Sequence, residues 1–307
     1  MHPVFRSVGS LVAAIINGNE IAKSIRAELK EEVAGMKTKG VTPGLVVIIV
    51  GEDPASQVYV RKKGEACVEL GIHSETIRLP ATAPEDELLR LIDKYNGDPM
   101  FDGILVQLPL PKHISEGNVL LRIDPSKDVD GFHPVNVGKM VVGSADCYLP
   151  CTPHGVQELL VRSGNDPKGK HVVVLGRSNI VGKPIMNILL QKAPGADATV
   201  TICHSRTKDL RHFTLQADII IAAMGSPEFV KGDMVKEGVV IMDVGVNRIN
   251  DPSAKSGCRL VGDVDFNSVK EKAKAITPVP GGVGPMTITM LMKNTVKAAK
   301  IHHGLME

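Results

Sequence analysis

Val172-Val173-Val174-Leu175-Gly176-Arg177-Ser178-Asn179-Ile180-Val181-Gly182-Lys183-Pro184 passes from an apolar β-branched run, through a turn that carries two glycines, into a helical pattern. The order strand, glycine turn, helix is what a dinucleotide site needs. Glycine lets the backbone approach a pyrophosphate, and the N–H groups and positive end of the helix favour the anion. Only Gly176 and Gly182 stand where the usual fingerprint has three glycines, so the same residues also fit an ordinary tight turn. The next strand, Thr199–Cys203, ends in His204-Ser205-Arg206-Thr207, without the acid that commonly binds the ribose of NAD. Ser205 offers a hydroxyl, while Arg206 and Arg177 offer charge and a planar fork suited to a 2′-phosphate. This pattern points to NADP, with plain exposed loop residues as the alternative.

Alternation continues outward from this stretch. Strands are expected at His171–Leu175, Thr199–Cys203, Ile219–Ala222 and Val239–Val244, with helices at Thr152–Arg162, Gly182–Gln191 and Met286–Ile301. In the first half, Ile21, Ile25, Leu29 and Val33 recur at four-residue steps, one apolar stripe on a helix from Asn19 to Met36. Leu45–Val50 is a continuous run bounded by Gly44 and Gly51, the pattern of a strand buried on both faces. A helix over Ser56–Leu70, ended by Gly71, a strand at Thr76–Leu79, a helix at Glu85–Tyr95 and a strand at Ile104–Leu108 follow. Strand–helix alternation of this kind predicts an α/β fold of two α/β domains, the second a Rossmann-like doubly wound parallel sheet. Between Asp124 and Pro153 the pattern breaks into Gly, Pro, Asp and Asn, which divides the chain into domains at 1–150 and 151–287. The last helix, about 288–307, is expected to pack back on the first domain.

Composition limits the functions on offer. The chain has 307 residues, 36 basic and 34 acidic, for a net charge of +2. A chain this long buries about three quarters of the surface its unfolded form exposes, without a metal or disulfide staple. Near-zero charge gives no general drive toward phosphate backbones or anionic membranes. Arg61-Lys62-Lys63 is short and reads as a solvated helix face. Three Tyr, six Phe and no Trp leave few rings to stack single-stranded bases, so no nucleic-acid binding is expected. No apolar run approaches the ~18 residues that span a bilayer, so no membrane insertion is expected. Five dispersed cysteines lack zinc-finger spacing and read as reduced thiols of a cytoplasmic protein. Met1–Ala14 reads as an extension ahead of the first strand.

Four further stretches carry candidate chemistry. Tyr59 and Lys63 are four apart on the expected helix and share a face, either as a surface pair or as a ring and an amine at a site. Gln107 interrupts the apolar run Ile104–Leu108; a buried carboxamide must be hydrogen-bonded, to backbone or to a ligand. Lys127-Asp128-Val129-Asp130-Gly131-Phe132-His133-Pro134 places two carboxylates two apart. They suit a metal, a cationic amidine-like edge, or a turn capped by Asp. Thr277–Thr287 holds three prolines and several glycines, where the backbone itself contours a ligand or crosses rigidly between domains.

Taken with Pro54–Lys63, Gly103–Pro111, Gly176–Pro184 and Pro278–Thr287, these motifs resemble the bifunctional methylenetetrahydrofolate dehydrogenase/methenyltetrahydrofolate cyclohydrolase family, over about Ile15 to Ala299. The resemblance implies a folate and cofactor cleft between the two domains, a small-molecule folate substrate, NADP as cofactor and a homodimer. It implies that Lys63 is the catalytic lysine and Tyr59 packs on the folate. Gln107 would be the lysine's polar partner and Asp130 the carboxylate that grips the pterin's amino-pyrimidine edge. Ser56 matches a site-facing hydroxyl. Val106 and Leu108, with Pro280, Gly281, Gly282, Val283 and Gly284, match folate-lining positions. Gly176, Arg177, Ser178, Ser205 and Val246 match dinucleotide contacts, and His204–Thr207 resembles the NADP type. Asn17 stands where the family often has Asp, a change confined to a local turn. The alternatives are another NADP-dependent α/β dehydrogenase, such as a shikimate-like enzyme, and a nucleotide-binding scaffold without turnover.

Overall fold

The computed structural model describes residues 13–253 and 257–306. In chain order the elements of the first half are β1 (Ala14–Ile15), α1 (Gly18–Thr38), β2 (Gly44–Val50), α2 (Pro54–Leu70), β3 (His73–Leu79), α3 (Glu85–Asn96), β4 (Gly103–Val106), α4 (Glu116–Arg122) and α5 (Pro134–Val141). Then come α6 (Cys151–Arg162), β5 (His171–Leu175), α7 (Gly182–Leu189), β6 (Thr199–Cys203), α8 (Leu210–Thr214), β7 (Ile219–Ala222), β8 (Val240–Asp243), β9 (Asn247–Asn250), β10 (Cys258–Val261), α9 (Phe266–Val269), β11 (Ala275–Ile276) and α10 (Val283–His302). The chain divides into two units, Glu20–Gly155 with Pro285–Glu307, and Met1–Asn19 with Val156–Gly284.

The unit of Glu20–Gly155 is built on a three-stranded parallel sheet in the order β3-β2-β4. Every residue of β2 is buried, as its unbroken apolar run requires of a central strand. Ile25, Leu29 and Val33 of α1 are buried, and Ile21 at the head of the same stripe is half-buried. Local chemistry sets the ends of α2. The Asp53 carboxylate accepts from Ser56 N–H, Pro54 starts the first turn, and Gly71 closes the helix at φ 72°. The same unit carries α10, whose Arg-facing Thr289 accepts from Arg26 of α1 at 3.1 Å.

The other unit holds six parallel strands in the order β1-β11-β8-β7-β5-β6. From β5 the chain runs through α7 to β6 on one side, then crosses back to β7 on the other. The carboxyl ends of β5 and β7 therefore form the switch point where doubly wound sheets bind ligands. The fold is α/β, with the Rossmann-like sheet expected for the second half. Of the Met1–Ala14 extension, residues 1–12 lie outside the described residues. Ala14–Ile15 pairs with Ala275–Ile276 in this sheet.

Several local expectations shift. The Asp124–Pro153 segment, read as irregular, contains α5, which starts on Pro134 with the His133 ring accepting Val135 N–H at 3.1 Å. The antiparallel hairpin β9–β10 carried no alternating signal strong enough to read. Gln107, expected within a strand, lies one residue beyond the end of β4. Lys63, expected on a solvated face with Arg61 and Lys62, is buried, because the helical phase turns it opposite to its two neighbours. Among the described residues no helix is long and apolar enough to cross a membrane.

Candidate active site

Helix α2 presents Ser56, Tyr59 and Lys63 at three- and four-residue steps, and hence on one face. Ser56 and Lys63 are buried, while Tyr59 is 37% exposed. The Lys63 ammonium donates to Gln107 Oε1 at 2.8 Å, and Gln107 Nε2 donates to Leu108 O at 2.7 Å. An ammonium only donates, so the amide oxygen must face it and the amide nitrogen is left for backbone. The two roles open to Gln107 in the sequence are thus both filled, one by each end of the amide. Its N–H extends the ladder by one more bond, to Ile48 O at 2.8 Å, which anchors it at the carboxyl end of the sheet. Val106 before it is buried and Leu108 after it half-buried.

The two acids of Lys127–Pro134 divide their work. Asp128 is buried and accepts from His133 N–H at 2.8 Å, Phe132 N–H at 3.3 Å and Asn136 Nδ2 at 2.9 Å, the turn-capping role. Asp130 interacts with Lys63 and with the Cys151 thiol, which donates to it. Gly131, directly after Asp130, has φ 75°, and a Cβ there would meet Tyr148 O at 2.7 Å, so only glycine suits the position. Lys127 faces away, its ammonium donating to Tyr95 O and Asp98 O past the end of α3. From α10, Asn294 Nδ2 donates to Val129 O at 2.8 Å and Leu149 O at 2.9 Å, which ties the loop before Asp130 to the start of α6.

Burial sets the protonation of this group. Loss of water lowers the Lys63 amine below the ordinary lysine range, although Asp130 and Cys151 oppose the change. The same loss raises Asp130, with Lys63 and the Cys151 hydrogen bond pulling the other way. Cys151 is raised well above the usual thiol value, first by burial and then by Asp130, so it is a thiol and not a nucleophilic thiolate. The arrangement is a sheltered amine, polarised by an amide oxygen and faced by an acid, beside a partly exposed aromatic ring. Its amine gives up a proton more readily than an exposed lysine does, which suits it to proton transfer.

In the other unit, Gly176 N–H donates to Cys203 O at 2.8 Å, which sets the turn after β5 beside the turn after β6. Gly176 has φ 120°, and a Cβ there would stand 2.1 Å from Ala223 O; a Cβ on Gly182 would stand 2.1 Å from Gly176 O. The turn therefore has the close-packed backbone that a pyrophosphate cradle needs. Arg177, Ser178, Ser205 and Arg206 are exposed on this edge, and Val246, beyond β8, is 53% exposed. These residues fit a phosphorylated dinucleotide: basic and hydroxyl groups, no acid among them, along the carboxyl ends of neighbouring strands. One detail differs from expectation. The first N–H groups of α7 are met by Ser178, whose Oγ accepts from Val181 at 3.1 Å and Gly182 at 3.4 Å and whose carbonyl accepts from Lys183.

Pro280 to Gly284 belong to this unit, in the turn that enters α10. Pro280 is exposed, Gly281 and Gly284 are half-buried, and Gly282 and Val283 are buried. Gly282 has a packing reason of its own, since a Cβ there would meet Pro278 O at 2.6 Å. At position 17, Asn17 Oδ1 accepts from Asn19 N–H at 3.1 Å, a local turn as expected.

Sequence reasoning missed Cys151, Asp128 as distinct from Asp130, and Asn294. Each acts through a partner remote in sequence or through a backbone group. The one available signal was the placement of Cys151 at the start of a helix that follows the acid-rich loop.

Residues 16–130 match the domain described as "Tetrahydrofolate dehydrogenase/cyclohydrolase, catalytic domain", and residues 150–303 that described as "Tetrahydrofolate dehydrogenase/cyclohydrolase, NAD(P)-binding domain". The bifunctional protein FolD of Syntrophobacter fumaroxidans is 60% identical over 295 residues, which cover 95% of this chain and 99% of that one. Among solved structures, the bifunctional FolD enzyme of Campylobacter jejuni superposes with a TM-score of 0.89 at 50% identity, covering 94% of this chain and 99% of its own. The Trypanosoma brucei dehydrogenase-cyclohydrolase, solved with NADP cofactor and inhibitor, also gives 0.89, at 42% identity over 95% and 98% of the two chains. Matched in both domains and along nearly its whole length, the chain belongs to the tetrahydrofolate dehydrogenase/cyclohydrolase family.

Proposed function

We propose that Lys63 is the proton-transfer residue of this enzyme, oriented by Gln107, with Tyr59 packing on the folate and Asp130 binding its amino-pyrimidine edge. The chain is a bifunctional enzyme of one-carbon metabolism. It oxidises 5,10-methylenetetrahydrofolate to 5,10-methenyltetrahydrofolate with NADP, then hydrolyses that product to 10-formyltetrahydrofolate. NADP⁺, held by the residues of the Gly176 turn, would supply the hydride acceptor for the methylene carbon.

The remaining work falls to side chains. In hydrolysis a water oxygen bonds to the methenyl carbon, one ring C–N bond breaks, and both protons leave that water as its oxygen becomes the formyl carbonyl: one reaches the released nitrogen and the other goes to solvent, carrying away the cation's charge. Lys63, as the neutral amine that burial favours, takes the water's proton; as the ammonium it returns one to nitrogen. Positioned proton transfer of this kind contributes typically about 10²–10⁴-fold. Gln107 accepts from the ammonium and so holds the amine in place through the exchange. Ser56 adds a hydroxyl on the same helical face. Val106, Leu108 and Pro280 to Gly284 are assigned to the folate's surroundings. Gly176, Arg177, Ser178, Ser205, Arg206 and Val246 are assigned to the dinucleotide, with the two arginines and Ser205 facing the 2′-phosphate. Residues 1–150 with the last helix form the folate-binding domain in this reading, apart from β1, which pairs into the sheet of the dinucleotide domain of residues 151–287.

The observation that carries the assignment is the buried Lys63 amine, 2.8 Å from Gln107 Oε1 and electrostatically coupled to Asp130. We further place the enzyme in the cytoplasm as a homodimer that supplies formyl groups to purine biosynthesis. The five free thiols suit a reducing compartment, and sedimentation tests the dimer. A paired assay tests the site: methylenetetrahydrofolate with NADP or NAD, following methenyl formation and its decay in the native protein and in Lys63→Ala. Faster methenyl formation with NADP and loss of decay in the variant are expected. A folded Lys63→Ala protein that hydrolyses methenyltetrahydrofolate normally would falsify the assignment.

A further inference from the structure

The backbone leaving β7 lies against the Gly176 turn. Ala223 N–H still pairs with Leu175 O at 2.8 Å, and Ala223 O is the atom that Gly176 leaves room for. The next three N–H groups converge on one carboxylate, that of Asp263. Its Oδ2 accepts from Met224 at 2.6 Å and Gly225 at 2.9 Å, and its Oδ1 from Ser226 at 2.8 Å. A fourth bond comes from Asn247 Nδ2, at 2.8 Å to Oδ1, in the segment that carries Val246. Asp263 is wholly buried. It is held in turn by Asp243 at the end of β8, whose Oδ1 accepts from Asp263 N–H at 2.9 Å and Gly245 N–H at 3.0 Å. Glycine at 245 is required for this approach, since a Cβ would stand 2.3 Å from Asp263 Oδ1.

Successive N–H groups that converge on a point form a nest, the concavity that elsewhere takes a phosphate. Here the protein's own carboxylate fills it, so the loop is fixed as a wall. All of the roughly four lone-pair positions of a carboxylate are used. An apolar side chain here would leave these three N–H groups and the Asn247 amide without their acceptor. What a carboxylate adds is a defined orientation for three consecutive peptide planes and for the Asn247 amide.

We propose that Asp263 is a positioning residue of the dinucleotide site, holding Met224–Ser226 and the Val246–Asn247 segment in the geometry that receives NADP. The proposal rests on the reading of the Gly176 turn as that site. Asp263→Asn halves the acceptor capacity and sets an NH₂ group against N–H donors. NADP⁺ affinity is measured by calorimetry, alongside the dehydrogenase KM for NADP⁺ and the cyclohydrolase rate assayed with no nicotinamide present. Asp263→Asn is expected to weaken NADP⁺ binding at least tenfold and raise its KM equally, with kcat at saturating NADP⁺ changed less than threefold. Asn247→Ala, which removes one bond at a half-buried position, is expected to weaken binding about threefold. That variant decides the matter if Asp263→Asn does not fold: unchanged NADP⁺ affinity in Asn247→Ala then overturns the proposal. A folded Asp263→Asn protein with affinity within twofold of native also overturns it, as does an equal loss of the nicotinamide-free cyclohydrolase reaction. Gly176→Val separates the two readings. If it abolishes NADP⁺ binding while Asp263→Asn does not alter it, the site stands and the role of Asp263 falls. If Gly176→Val leaves binding intact, the site reading itself fails.

Discussion

Lys63 Nζ donates to Gln107 Oε1 across 2.8 Å, so the amine of α2 is aimed by the residue that follows β4. Replacing it should separate chemistry from folding. Lys63→Ala is expected to lower the cyclohydrolase rate by about 10²–10⁴-fold, the usual scale of positioned proton transfer. Loss of methenyl absorbance over time is the measurement, with circular dichroism to confirm the fold.

Burial lowers the Lys63 amine, so it should become nucleophilic at a lower pH than an ordinary exposed lysine. Trace acetylation across a pH series, read by peptide mass spectrometry, gives its midpoint. Asp130 supports the charged form of Lys63, so Asp130→Asn should move the Lys63 midpoint further down. Gln107→Glu places a carboxylate against the ammonium and should move it up. A Lys63 midpoint at or above the ordinary lysine range contradicts the account. Asp130→Ala should in addition raise the folate KM more than it lowers kcat.

Asp128 gives a pH dependence of stability with a definite sign. Burial pushes its carboxyl up to about 6 from 3.8, against the hydrogen bonds of Asn136, His133 and Phe132. Between those values the folded protein holds the proton and the unfolded chain has lost it. Stability from this residue is therefore greatest below about pH 4 and declines as pH rises to 6. Relative to Asp128→Asn, the native protein should lose on the order of 2–3 kcal/mol across that window. Urea unfolding of both proteins at pH 4, 5, 6 and 7 is the test; a constant difference would refute it.

Arg206 is exposed on the turn after β6, whose backbone is set by His204 N–H donating to Thr207 Oγ1 and Arg206 N–H donating to His204 Nδ1. If its guanidinium meets the 2′-phosphate, Arg206→Ala should lower kcat/KM for NADP by about tenfold or more, the value of a charge-assisted hydrogen bond, and leave NAD nearly unaffected. Steady-state kinetics with both cofactors decide the point. An equal fall with NAD would assign Arg206 to something other than that phosphate.

Much of the architecture was already readable in the chain. Leu45–Val50 and Val172–Leu175 are unbroken apolar runs, and only a strand covered on both faces makes use of six or four such residues in a row. Gly71 and Gly176 each mark a backbone with positive φ, and the structure gives both that conformation. Tyr59 and Lys63 share a face because helical geometry leaves them no choice. These are local properties, carried by residues within one or two turns of each other, so a linear reading reaches them.

The site's working chemistry was decided by contacts that no local pattern encodes. Arg61-Lys62-Lys63 is one basic run until packing of α2 buries its third member and leaves the other two in water. Asp128 and Asp130 are equivalent in a motif and opposite in role, because one turns to its own loop and the other to Lys63. Asp263 gathers N–H groups almost forty residues earlier in the chain. Desolvation and hydrogen-bond convergence depend on which atoms end up within about 3 Å of each other. That is a property of the folded chain, where residues far apart in order share one dry space.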